Sequence, residues 1–172
     1  MSEAISSGQT PNLFLLRYRK SDFKVSDVLL IPHFAFSSSM LEKCKPLSPN
    51  AKRAGWIGCN FLLDRIATDA RIGVIREGIE IESRIVREKY KRLKPLEAVK
   101  PEKRGWTLDV LNAVRSLGKS EFVLDEVYNL EDFLAELHPK NSNVRPKIRQ
   151  QLQVLRDLSL LTFLGDGCYR LV

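Results

Sequence analysis

The spacing of apolar positions changes along this chain. Residues 12–18, NLFLLRY, form a short apolar run after Pro11, and residues 25–32, VSDVLLIP, form another, with the hairpin-sized link RKSDFK between them. Short apolar runs closed by turn residues predict buried strands. A third strand is predicted in DARIGVIREG, residues 69–78, which ends in a glycine turn. In SRIVREKYKRL, residues 83–93, Ile85, Val86, Tyr90 and Leu93 recur at helical spacing and predict a helix. This half reads as mixed α and β.

Residues 94–105, KPLEAVKPEKRG, carry two prolines, several charges and a glycine, which predicts a linker. After it, TLDVLNAVRSLG, residues 107–118, predicts a helix with Thr107 as its N-cap and Gly118 as its stop; Leu108, Leu111 and Val114/Arg115 mark one face. EFVL reads as a short extended segment. LDEVYNLEDFLAELHP, residues 124–139, predicts a second helix with Val127, Leu130, Phe133, Leu134 and Leu137 inward. RPKIRQQLQVLRD, residues 145–157, predicts a third, and LLTFLGDGCYRLV has the strand, Gly-Asp-Gly turn and strand of a hairpin. Three helices, a short strand and a terminal hairpin give a winged helix-turn-helix, with the third helix as candidate recognition helix. The alternative is a small α+β interaction domain that binds only protein. The expected organisation is α+β: an α/β portion at 1–93, a linker at 94–105 and a winged-helix DNA-binding domain at 106–172.

Charge sharpens this picture. The net charge is +7 and the sequence pI is about 9.5, which favours an acidic partner such as nucleic acid or an anionic membrane. Cys44, Cys59 and Cys168 are far apart, their number is odd and no C-x-x-C pair occurs, which argues against a disulfide framework. The only histidines, His33 and His138, make a zinc site an unpromising reading. The runs LFLL and VLLIP are too short to cross a bilayer, and MSEAISSGQTPN lacks a basic-then-apolar leader pattern. The expectation is a reduced, cytoplasmic setting and no membrane partner.

On a helical wheel Ile148, Leu152, Leu155 and Ser159 share one arc, which is expected to pack on the first two helices. Arg149, Gln150, Gln153 and Arg156 lie opposite, with Lys147 near the N-terminal end. Arginine can bond bidentately to guanine O6 and N7, and glutamine to adenine N6 and N7. No acidic residue follows until Asp157, so the face suits a DNA site with both G and A; a solvated helix more often mixes Glu with Lys. A second basic island is NAKRAGWIGCN, residues 50–60. Lys52 and Arg53 precede Trp56, and Gly55 and Gly58 free the backbone for a projecting loop. Trp56 is either a wedge or stacking surface for bases or a core anchor. Trp106 directly precedes a helix start and is expected to pack.

KPLSPNAKRAGWIGCN, RGWTLDVLN and KIRQQLQVLRD, in this order, resemble the Dam-replacing family, relatives of the DpnI restriction endonuclease. The similarity runs from about Pro11 to the end. It implies a nuclease domain of the PD-(D/E)XK type followed by a winged helix, with cleavage of GATC whose adenine is methylated on the exocyclic amine. It implies a DNA-facing position for Trp56 and a recognition helix from Lys147 to Arg156. It also implies Mg²⁺ and structural Zn²⁺ for a full-length member.

The family's catalytic Asp, its Glu-x-Lys and its four zinc-binding cysteines would lie upstream of the residues present here. Asp22-Phe23-Lys24 has D-x-K spacing but no Asp on a preceding strand, and Asp69 and Glu80 are followed by Glu82 where a Lys is needed. Both read as coincidences, since the chemistry requires carboxylates converging on a metal with a Lys near the attacking water. The expectation is therefore the C-terminal part of such an enzyme, with no catalytic or metal-binding residues and no cofactor of its own. Its expected partners are double-stranded DNA with adenine-methylated GATC and a separately encoded N-terminal nuclease fragment. Residues 1–93 are expected to be marginally stable with an unpaired sheet edge, and 104–172 to fold independently. A stand-alone winged-helix regulator that binds methylated DNA without cutting is the alternative.

Overall fold

The computed structural model describes residues 2–172. A short helix α1, Ser2–Ser7, leads into the hairpin of β1, Leu13–Tyr18, and β2, Val25–Ile31. Further on, β5, Ile72–Arg76, and β6, Ile79–Glu80, complete an antiparallel sheet of order β1-β2-β5-β6. Between them β3, Leu41–Lys43, and β4, Cys59–Phe61, form a separate two-stranded ladder that the apolar pattern did not announce. Helix α2, Ser83–Leu93, follows the sheet.

The strands at 13–18 and 25–31 stand where the apolar runs predict them, but β1 is not a buried strand. It lies at the sheet edge. Leu13 and Leu15 pack against the core, whereas Phe14, Leu16 and Tyr18 are exposed. Alternate residues of a strand point to opposite faces, so a continuous apolar run supplied one packed face and one open one.

The expected linker is not a loose segment. Lys94–Ala98 form a 3-10 turn and helix α3 spans Pro101–Ser116, starting six residues before Thr107. Pro101 opens this helix rather than breaking it, because proline lacks only an N–H that the first turn leaves unpaired anyway. Arg104 is buried and donates to the Val99 carbonyl at 2.8 Å and the Glu97 carbonyl at 3.2 Å, which ties the turn to the helix. Thr107 is then no N-cap but a buried mid-helix residue.

Strand β7, Glu121–Val123, precedes α4, Leu124–Tyr128, and α5, Glu131–Leu137. The single helix expected over 124–139 is thus two, parted at Asn129 and Leu130. Val127 and Leu134 are fully buried, but the break turns Phe133 outward. Helix α6, Val144–Asp157, comes next, followed by the predicted hairpin of β8, Leu161–Gly165, and β9, Cys168–Leu171. β9 pairs with both β8 and β7, giving the order β7-β9-β8. The C-terminal part is a helical, helix-turn-helix type domain with a small sheet.

The buried apolar residues form one cluster that runs from Ile31 and Phe34 through Leu108 and Leu111 to Ile148 and Leu155. This core does not divide at residues 94–105. Polar contacts cross the same boundary: Ser39 donates to Asp109 Oδ1 at 2.7 Å, Asn112 donates to the Arg65 carbonyl at 3.4 Å, and Arg115 pairs with Asp69. Burial pushes the Arg115 pKa down, Asp69 opposes that, and Arg92 adds a further push down.

Asp69→Ala strands the Arg115 guanidinium in a setting where its side chain is 18% exposed. Removing one partner of a fully buried pair costs about 3–5 kcal/mol; the partial exposure here reduces the expected loss to roughly 1–3 kcal/mol. Urea unfolding checks this, and a change below about 0.5 kcal/mol would show that the pair does not hold the halves together.

Candidate nucleic-acid interface

Helix α6 is amphipathic by burial. Val144, Ile148, Leu152 and Leu155 face the core. Gln151 joins them and accepts a 2.7 Å hydrogen bond from the Thr107 hydroxyl, which fixes α6 against α3. A buried amide needs such a partner. Ser159, expected on this inner arc, is exposed with a φ of 59°, because the helix ends at Asp157 and the wheel no longer applies.

The outer face carries Arg145, Arg149, Gln150, Gln153 and Arg156, all exposed, and Lys147 is half-buried. No acidic residue occupies the first turn. Each cation has a local partner. Arg149 Nε donates to the Tyr128 hydroxyl, and its guanidinium sits 5.6 Å from the centre of that ring. This uses Nε alone and leaves the terminal amino groups as a two-pronged donor. Arg145 also lies over Tyr128, at 5.1 Å, but donates to Glu131 at 2.6 Å, and Glu131 raises its pKa further. Lys147 donates to Gln150 Oε1 at 2.7 Å, and Arg156 pairs with Asp157 at 2.9 Å. Gln153 is exposed and takes part in no hydrogen bond among the described side chains. Gln150 and Gln153 thus differ: one is oriented by a neighbour, the other is not.

The β8–β9 hairpin lies beside this face. Tyr169 on β9 stacks on Phe122 at 5.6 Å and meets Phe163 at 5.1 Å. Burial pushes the Tyr169 phenol up, while Arg156 and Arg149 pull it down. The turn needs positive φ at Gly165, Asp166 and Gly167, at 99°, 47° and 75°, which favours glycine and aspartate there. Exposed Phe163 and Leu164 stand next to it.

The second basic island is a projecting arm. The β3–β4 ladder continues outward through Cys44 N–H to the Gly58 carbonyl at 3.0 Å and Leu47 N–H to the Trp56 carbonyl at 2.9 Å. Gly55 turns the chain at a φ of 77°. A Cβ on Gly58 would come within 3.0 Å of the Trp56 ring, so the glycine makes room for the indole. Trp56 is 55% exposed and is no core anchor. Lys52 and Arg53 are exposed on the same arm and form no ion pair among the described residues. Lys52, Arg53 and Trp56 therefore stand together, as do Lys147, Gln150, Arg149 and Arg156. No hydrogen bond or ion pair among the described residues joins the two groups.

Trp106 packs as expected. It is 9% exposed and stacks on the His138 ring at 3.8 Å between centres. His138 Nε2 in turn lies 2.9 Å from the buried carboxylate of Asp109. Tyr128, which orders Arg149 on the outer face of α6, and Tyr169, which lies near that face, carry no signal in the sequence.

The carboxylates weighed for metal chemistry are engaged elsewhere or isolated. Asp22 pairs with Arg19 at 3.0 Å, Asp69 with Arg115, and Glu80 is exposed. Among the described residues no group of three or more His, Cys, Asp or Glu side chains is placed to hold a metal ion. Among them, too, no helix is long and apolar enough to cross a membrane.

The two tryptophans give contrasting expectations. Trp106→Ala should cost about 3–5 kcal/mol, whereas Trp56→Ala should shift stability by less than about 0.5 kcal/mol. Chemical denaturation of both variants checks this; a large loss at Trp56 would show that the arm packs on the core.

Two family models match the chain. One, described as the Dam-replacing HTH domain, covers residues 102–171, where α3 to β9 lie. The other, described as the Dam-replacing family, covers residues 1–99, including the arm that carries Trp56. With both halves matched, the chain belongs to the Dam-replacing family.

Proposed function

We propose that this protein reads adenine-methylated GATC as the DNA-binding part of a DpnI-like, type II methyl-directed restriction endonuclease in the cytoplasm. The observation that carries the reading is the outer face of α6, where Tyr128 holds Arg149 by Nε with its two terminal amino groups free, beside exposed Gln150 and Gln153. A guanidinium fork matches guanine and a primary amide matches adenine. The helix-turn-helix family match supports a DNA partner. The β8–β9 hairpin serves as a wing next to that helix. On the arm, Lys52 and Arg53 contact phosphates while Trp56 stacks on or wedges between bases.

In this reading residues 1–99 belong to a restriction-endonuclease-like domain, and the chain does not cut DNA by itself. Among the described residues no carboxylates converge to fit a catalytic Mg²⁺, and Cys44, Cys59 and Cys168 join no cluster that fits a zinc site. A nuclease segment outside these residues supplies those groups. A regulator that binds methylated DNA without cutting would use the same helix, and the absence of a metal-binding cluster among the described residues suits it as well. Adding the nuclease segment distinguishes the two, since only the first reading then gains cleavage.

Binding is measured on GATC duplexes with neither, one or both adenines methylated, at stated salt. The doubly methylated duplex should bind tightest, and equal affinity for a scrambled duplex overturns the reading. Incubation of the chain alone with Mg²⁺ and methylated DNA should leave it intact. Arg149→Ala should cost about 1–3 kcal/mol on the cognate site and less on scrambled DNA. Lys52→Ala should instead weaken all duplexes alike and reduce the salt slope by about 1.

A further inference from the structure

A third concentration of positive charge lies away from α6 and the arm, between β5 and the last turn of α2. Thr68, Asp69, Arg71, Arg76, Lys89 and Arg92 line a cavity of about 160 Å³. Its one carboxylate, Asp69, is taken by Arg115. None of the four lining cations forms an ion pair among the described residues. Arg71 donates to Thr68 Oγ1 at 3.1 Å, and its buried Nε has no acceptor. The negative end of helix α2 favours Lys89 and Arg92 near its last turn, but it does not explain Arg71 and Arg76, which come from the sheet side.

The backbone is adapted to one of these side chains. Arg76 folds back across the buried Gly73, where a Cβ would come within 2.6 Å of its Nε and 3.3 Å of its Cγ. Glycine in a strand interior weakens the strand and commonly marks a close approach. Here the close approach is that of the exposed Arg76 side chain, which also lines the pocket. Four unpaired cations around one concavity repel each other, and an oxyanion relieves that repulsion. Arginine forks suit phosphate oxygens in particular. The cavity is smaller than the roughly 300–1,000 Å³ typical of sites for drug-sized ligands, so it admits a phosphate group but not a whole nucleoside.

We propose that the Arg71, Arg76, Lys89 and Arg92 pocket binds a phosphate group. The group comes either from free phosphate or pyrophosphate or from a DNA backbone; only the second source rests on the DNA-binding reading above.

Thermal unfolding in chloride, inorganic phosphate and pyrophosphate at matched ionic strength tests the pocket without DNA. Phosphate or pyrophosphate should raise the Tm of the wild type and of Arg84→Gln, a control on the same helix but outside the pocket. Arg92→Gln and Arg71→Gln should lose that rise. In chloride Arg92→Gln should be at least as stable as the wild type, because repulsion is relieved. Gly73→Ala, which displaces Arg76 without removing charge, should also diminish the phosphate effect; an undiminished rise there would reduce the site to diffuse positive charge and overturn it. A salt titration of duplex binding forms the second arm. If the occupant is a backbone phosphate, Arg92→Gln should lower the slope of log K against log salt by about 0.9, alike on every sequence, while Arg84→Gln leaves it unchanged. A Tm rise lost in the variants with an unchanged DNA slope assigns the pocket to free phosphate; a changed slope assigns it to DNA. Equal phosphate effects in all proteins together with unchanged slopes overturn the proposal. If the wild type binds no DNA at all, the proposed function fails, and the first arm still decides the pocket.

Discussion

From Trp106 to Val114 the helix α3 is buried at every position but Asn112, which is half-buried. A helix enclosed on all sides must satisfy each polar side chain internally, since an unpaired buried group is expensive. Most of these groups find partners, although Asp109 Oδ2 and Arg115 Nε make no hydrogen bond among the described residues. Arg104 caps the carbonyls of Glu97 and Val99, Thr107 donates to Gln151, Asp109 accepts from Ser39, and Arg115 pairs with Asp69. Two of these partners lie before α3 in the strand-rich half, one lies on α6, and the carbonyls belong to the turn between. The chain is thereby organised around α3, and the placement of the outer face of α6 follows from a bond on its inner face.

That face is built for orientation more than for raw charge. Arg145 and Arg156 have carboxylate partners on the surface, and such exposed pairs contribute little and exchange readily for phosphate. Arg149 differs, because its partner is a neutral hydroxyl under a ring. It has no carboxylate partner among the described residues and loses rotational freedom before any ligand arrives. A side chain ordered in advance spends less entropy on binding, which favours a specific contact over a diffuse one.

Much of this was legible from the chain alone. Short apolar runs bounded by turn residues located β1, β2 and β5, period-3.6 patterns located α2 and α6, and Gly165-Asp166-Gly167 located the terminal hairpin. The errors have physical causes. Pro101 has the residue type of a breaker but starts a helix, which hides the reach of α3 into residues 94–105. The run 124–139 kept helical spacing while its backbone broke at Asn129, so Phe133 faced outward. Trp56 could not be assigned from neighbours alone; only its exposure beside Gly58 separates a projecting indole from a core one. Tyr128 and Tyr169 gave no signal because their importance lies in long-range proximity to Arg149, 21 residues from Tyr128. The ladder β3–β4 is three residues per strand, too short for alternation to register.

The separation of the arm from α6 bears on how the proposed recognition would divide. Stacking on an indole is tolerant of sequence, because every base offers a π-face, and Lys52 and Arg53 can bond phosphates that carry no base identity. The arm can therefore contribute affinity but little discrimination. Base identity in the major groove requires a fork or an amide held against donor and acceptor edges, and α6 displays both, with Arg149 fixed and Gln150 oriented by Lys147. A methyl on adenine N6 leaves one N–H for an amide carbonyl. Lys147 already engages Gln150 Oε1, whereas neither end of the Gln153 amide is engaged among the described residues. Of the two, Gln153 is the side chain with the freedom to adapt to a methylated base without breaking an existing bond.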